Sequence, residues 1–153
     1  MSCRITVRIQ SEPFDTAAEI TAISDSDNDV GAVVTFSGLC RDEDGALNAL
    51  EIEHYPGMAE AEITRIANDA AGRWPVSALT VIHRHGRIAI SEPIVLVVAA
   101  SRHRQAAFAA AEYLMDFLKS RAPFWKKEHR ADGSDGGWVD AKETDEDALT
   151  RWD

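Results

Sequence analysis

SRHRQAAFAAAEYLMDFLKSRAPFWKKEHR, residues 101–130, decides how this chain folds. Phe108, Ala111, Leu114, Met115 and Leu118 recur every three or four residues, which gives a helix over about Arg102–Ser120 one apolar face. Ser101 is its expected cap and Pro123 its stop. The pattern then changes. Phe124–Arg130 and Trp138–Lys142 read as two strands joined by the turn-forming run of residues 131–137, a hairpin. Working upstream, alternation and turn residues place strands at about Cys3–Gln10, Ala32–Ser37, Leu47–His54, Leu79–His85 and Ile94–Ala100. A helix over Ala59–Gly72 carries Ile63, Ile66, Ala67 and Ala70 on one stripe, and a shorter one over Phe14–Ile23 has Asp15 as its cap. Strands and helices without regular alternation predict an α+β domain rather than a doubly wound sheet.

At 153 residues the chain has the size of one domain and can bury a core unaided. Its 45% hydrophobic and 27% charged residues exclude a disordered or fibrous chain. A formal charge of -10 argues against a general nucleic-acid binder. Cys3 and Cys40 have no CxxC spacing, so a reducing compartment, the cytoplasm, is expected. No charge-free run approaches the ~20 residues of a membrane span, and Arg4 and Arg8 interrupt any apolar leader. From Ala131 onward acids dominate, which predicts a solvated, mobile end.

Inside this acidic chain, KSRAPFWKKEHR (residues 119–130) gathers Lys119, Arg121, Lys126, Lys127 and Arg130 against Glu128 alone. Two readings stand level on spacing: a docking site for an anion, or cations that complement a helix C-terminus and the acidic tail. Phe124 and Trp125 tip the balance toward a site, because apolar walls desolvate neighbouring ammonium groups and lower their proton affinity. Met115 lies one turn before Lys119, which makes a half-apolar, half-cationic pocket. Arg102, His103 and Arg104 open the same helix, where cations oppose the dipole and so hint at anion binding. His83 and His85 form an H-x-H pair whose rings would share one strand face, but without a third ligand a structural role outweighs a metal site. Arg41 sits where a strand gives way to a polar loop.

The segments VTFSGLCRD (34–42), LEIEHYPGM (50–58), RWPVSALTVIHRHG (73–86), SRHRQAAF (101–108) and YLMDFLKSRAPFWKKE (113–128) resemble, in order and spacing, the catalytic (large) subunit family of molybdopterin synthase. The likeness runs from about Gly31 to Trp152. It implies an α+β, hammerhead-type single domain over residues 1–153, with a mixed or antiparallel sheet, two main helices and an acidic tail from about 143. It also implies a homodimer within a heterotetramer, whose other subunit is a small ubiquitin-like sulfur carrier ending in a Gly-Gly thiocarboxylate. The implied reaction is a sulfurtransferase step in molybdenum cofactor biosynthesis: two sulfurs pass to cyclic pyranopterin monophosphate and create the dithiolene of molybdopterin. No metal or organic cofactor is implied.

Residue by residue, the resemblance marks Lys119 and Lys126 as catalytic. It marks Leu39, Cys40, Arg41, His103, Arg104, Lys127 and Glu128 as substrate-binding, with Phe36 and Met115 lining the pocket. Leu39 stands where many members carry lysine, which removes one anion contact, and His85 stands where an apolar residue is common. For Cys40 a half-buried strand role outweighs a covalent sulfur relay. Two rivals remain on sequence: a non-catalytic scaffold for a ubiquitin-like tail, and an unrelated enzyme acting on a small phosphorylated metabolite. Arg104 and Lys119 lie about 22 Å apart along one helix axis, so they can hardly serve one small substrate unless a dimer brings a partner's copy close, and the sequence leaves open whether the pocket is shared.

Overall fold

The structure, a computed structural model, describes residues 3–42, 44–139 and 147–152. Eight strands form two four-stranded sheets, as the expected α+β class requires. In the first sheet β1 (Arg4–Gln10), β4 (Val76–Arg84), β6 (Pro93–Ser101) and β2 (Ala32–Leu39) lie in that order. β1 runs parallel to β4, and the other pairs are antiparallel. The second sheet is antiparallel throughout, in the order β5 (Gly86–Ala89), β3 (Leu47–His54), β7 (Phe124–Arg130), β8 (Asp135–Val139).

β4 and β6 are the centre of the molecule, and their long apolar runs are buried on both faces. One face of the first sheet carries α2 (Met58–Arg73) and α3 (Arg104–Ser120), with Ile63, Ile66, Ala110 and Leu114 packing on Leu79, Val81 and Val97. The opposite face carries α1 (Thr16–Ser26), whose Ile23 meets Ile82, Leu96 and Val98. The small residues Ala106, Ala107, Ala110 and Ala111 let α3 lie close to the sheet.

The ends of elements differ from the sequence reading for identifiable reasons. Asp15 does cap α1, its Oδ1 accepting from the Ala18 N–H at 3.1 Å, but the helix continues to Ser26. Ser101 is not the cap of α3. It is the last residue of β6, buried, with its hydroxyl donating to the Pro75 carbonyl at 2.8 Å, and His103 takes the N-cap position without a capping bond from its side chain. α2 begins one residue earlier than expected because Gly57, at φ 86, turns the chain and the Glu60 carboxylate accepts from its N–H at 2.6 Å. β5, absent from the sequence reading, follows Gly86 at φ 87, a left-handed turn that ends β4 before His85. The hairpin is tighter than expected, with Lys127 opposite Trp138 and β8 starting at Asp135.

The start of the acidic tail at about 143 lies outside the described residues. Its far end does not wave in solvent. Leu149–Trp152 forms a short 3-10 helix against α3: the Trp152 indole N–H donates to Asp116 at 2.6 Å, the Trp152 carbonyl accepts from Arg73 at 3.0 Å, and Arg151 pairs with Glu112 and Asp116.

Candidate functional site

Antiparallel pairing brings the ends of β2 and β4 and the start of β6 to one edge of the first sheet, and a pocket opens there. Phe36, Gly38 and Leu39 of β2, His83 of β4 and Ile94 and Val95 of β6 form its sheet side. α3 supplies Met115, Leu118 and Lys119, which lie on adjacent turns and so share one face. The helix closes with the Arg121 and Ala122 N–H groups both donating to the Phe117 carbonyl, and Pro123 prevents its continuation. The chain then enters β7, where side chains alternate. Phe124 and Lys126 turn into the pocket. Trp125 turns out to an edge contact with Tyr55 at 5.2 Å, and Lys127 lies over the Trp138 ring at 5.8 Å.

The two expected catalytic residues, Lys119 and Lys126, therefore reach one cavity from a helix and a strand, together with Phe36, Leu39 and Met115. Among the described residues no carboxylate lines the pocket. Apart from the two ammonium groups and the His83 imidazole, those side chains are apolar. In a wall of that kind an anion faces little competing water, and its pairing with the ammonium groups is strengthened.

The other sequence candidates lie elsewhere. Cys40 is 1% exposed and belongs to the core, its backbone held by Ser91 and Glu92. Burial, joined by Glu92 and Asp42, pushes its thiol above the usual range, which disfavours the thiolate a sulfur relay requires. Arg41 follows it, exposed. His103 and Arg104 stand exposed at the far end of α3, and the neighbouring Arg102 is committed to Asp29 at 2.6 Å. Lys127 is on the outer face of β7, and Glu128 lies farther along the hairpin beside Leu47 and Arg130.

His83 is the polar lining residue that the sequence reading did not assign to this site. Its ring stacks on Phe124 at 3.8 Å and 12°. Nδ1 donates to the Arg84 carbonyl at 2.8 Å, which fixes the tautomer and leaves Nε2 as the lone-pair nitrogen. Burial, reinforced by Lys126, Lys119 and His54, pushes its pKa down to about 3, against the raising effect of the Arg84 bond. The ring is 5% exposed and uncharged at neutral pH. His85 does not pair with His83 as a ligand set. It lies beyond β4 and packs on His54 at 4.6 Å, and desolvation followed by the His54 charge lowers its pKa. Among the described residues no three His, Cys, Asp or Glu side chains gather to hold a metal ion. The signal for His83 was its place in the buried run VSALTVIHR: a polar ring among core residues must have a fixed partner.

Fold and pocket define an α+β domain with a dilysine cleft suited to anionic ligands. The family model described as MoaE protein matches residues 9–121, and the chain belongs to that family. It is 73% identical over 147 residues to the molybdopterin synthase catalytic subunit of Mesorhizobium japonicum, covering 96% of this chain and 92% of the relative. Among solved structures, the molybdopterin biosynthesis MoaE protein of Burkholderia ambifaria matches with a TM-score of 0.83 at 43% identity, covering 99% of this chain and 98% of that one. The molybdopterin synthase of Staphylococcus aureus matches with a TM-score of 0.77 at 34% identity, over 87% and 96% of the two chains.

Proposed function

We propose that this chain is the catalytic subunit of a molybdopterin synthase. It transfers two sulfurs, one after the other, from the C-terminal thiocarboxylate of a small ubiquitin-like carrier to cyclic pyranopterin monophosphate, forming the dithiolene of molybdopterin. The observation that carries the reading is the convergence of Lys119 and Lys126, from α3 and β7, on a pocket whose other lining side chains among the described residues are, His83 apart, apolar. Both reactants are anions, and cations must hold them together. Lys126 orients the thiocarboxylate, while Lys119 moves a proton or stabilises the oxyanion that develops as sulfur leaves the carrier. Phe36, Leu39 and Met115 supply the wall that excludes water.

Arg41, His103 and Arg104 hold the phosphate. His103 and Arg104 start α3 and Lys119 ends it, about 22 Å away along the axis, so the part of the clamp that His103 and Arg104 supply to one pocket comes from a second copy of the chain, while Arg41, two residues past the pocket-lining Leu39, belongs to the pocket's own protomer. The reading is of a homodimer with a carrier on each protomer, and that spacing supports the dimer. No helix among the described residues is long and apolar enough to cross a membrane, and the synthase works in the cytoplasm.

The test is reconstitution from purified chain, thiocarboxylated carrier and cyclic pyranopterin monophosphate, with dithiolene product as the readout. The wild type makes product, and Lys119→Ala binds the carrier but loses at least about 100-fold in rate, the scale of a removed proton-transfer or oxyanion group. Sulfur transfer retained in Lys119→Ala would falsify the role.

A further inference from the structure

We propose that His83 orients the substrate, its Nε2 accepting a hydrogen bond from an N–H or O–H of the uncharged pterin end. The proposal rests on the functional reading above and assigns a residue that reading does not use. It follows from what the pocket offers. Lys119 and Lys126 are donors only, and of the remaining lining side chains only the His83 imidazole carries a nitrogen lone pair. Phosphate and thiocarboxylate are acceptors only, so they gain from the lysines and nothing from a lone pair. A pterin ring carries amino and ring N–H groups, which an ammonium cannot satisfy and an imidazole nitrogen can. Lysines and histidine thus sort the anionic group of one reactant from the uncharged pterin of the other.

The lone pair is held in place by construction. Nδ1 is occupied by the Arg84 carbonyl, so the ring cannot present an N–H to the pocket without breaking that bond. Arg84 is itself 5% exposed and fastened: its guanidinium donates to Ser11 O at 3.0 and 3.1 Å and to Pro93 O at 3.0 Å, and pairs with Glu92 at 3.4 Å. Phe124 covers one face of the imidazole. The charged and titratable neighbours are Lys119 from α3, Lys126 from β7 and His54 from β3, all of which disfavour protonation. The ring therefore stays an acceptor instead of becoming a third cation that would bind the phosphate in the wrong place.

The experiment compares wild type, His83→Phe and His83→Gln, each assembled with carrier. Phe keeps a ring to stack on Phe124 and removes the acceptor; Gln keeps an acceptor. The expected result is a Kd for cyclic pyranopterin monophosphate raised roughly tenfold or more in His83→Phe and largely recovered in His83→Gln, with carrier affinity unchanged. In the wild type, the 15N resonance of His83 Nε2 shifts when substrate is added and stays still when inorganic phosphate is added, a signature that a purely structural imidazole does not give. Wild-type affinity in folded His83→Phe, or an Nε2 resonance unmoved by saturating substrate, overturns the proposal. The resonance decides the matter even if neither variant folds. A wild-type complex that binds its carrier but forms no dithiolene overturns the functional reading, whereas turnover with an unmoved Nε2 signal removes His83 alone.

Discussion

A buried imidazole leaves a thermodynamic mark. In the unfolded chain His83 titrates near its ordinary 6.5, and in the fold only at about 3. As pH falls below about 6.5 the unfolded state binds a proton that the folded state refuses, so stability present above that pH is lost progressively toward pH 3, at ~1.4 kcal/mol per unit. Between pH 7 and 5 wild type should lose about 2 kcal/mol more unfolding free energy than His83→Phe, measured by urea titration at each pH. Equal losses would mean that His83 takes up its proton over the same pH range in the fold as in the unfolded chain. Cys40 gives the opposite lesson at the same scale: its neighbour Arg41 is exposed, yet Cys40 is buried in the core, and one step along the chain just past β2 separates surface from interior.

That alternation governs the elements as well. Lys126 and Lys127 are adjacent in sequence and on opposite faces of β7. Lys126→Ala should lower kcat at least about 100-fold, while Lys127→Ala should act on KM, by less than about tenfold. Steady-state kinetics of the two variants with carrier and substrate distinguishes these outcomes, and comparable kcat losses would show that both ammonium groups reach the reacting atoms. The basic cluster was legible in the sequence because its charges contrast with the acidic remainder, and so was its strand, Phe124–Arg130, whose bounds the fold keeps; which face of that strand meets a pocket was not, since that depends on how β7 lies against α3 and the first sheet. Phe108, expected on the apolar stripe of α3, is 60% exposed, but most of that stripe, with Ala111, Leu114 and Leu118 buried, was legible from its periodicity. The cap was not, because Ser101 has the right chemistry for a helix start and spends it on Pro75 instead. β5 escaped detection because four residues carry too little pattern. His83 was visible only as half of H-x-H, a motif that points to metal, and its real partners, Phe124 and the Arg84 carbonyl, come from elsewhere in the fold or from the backbone.

Across the whole molecule the charge is -10, and the pocket nevertheless presents two cations. His103 and Arg104, proposed to clamp the phosphate, stand at the other end of α3 and need a partner copy to reach it. Mixing Lys119→Ala with Arg104→Ala, each inactive by itself, should restore about a quarter of wild-type activity, because half the random dimers carry one intact composite site. Sulfur-transfer assays on the mixture read this directly, and no recovery after subunit exchange would place both residues in one protomer's site. The described end of the chain has a separate use. Trp74 and Trp152 meet edge to face at 5.5 Å, with Tyr113 beside both, while Trp125 and Trp138 stand exposed on the outer face of the second sheet. The four indoles thus form two optical channels. Iodide will quench the outer pair first, so a protein that covers that face announces itself as shielding, and the inner pair reports through near-ultraviolet dichroism whether the helices beneath have kept their seating.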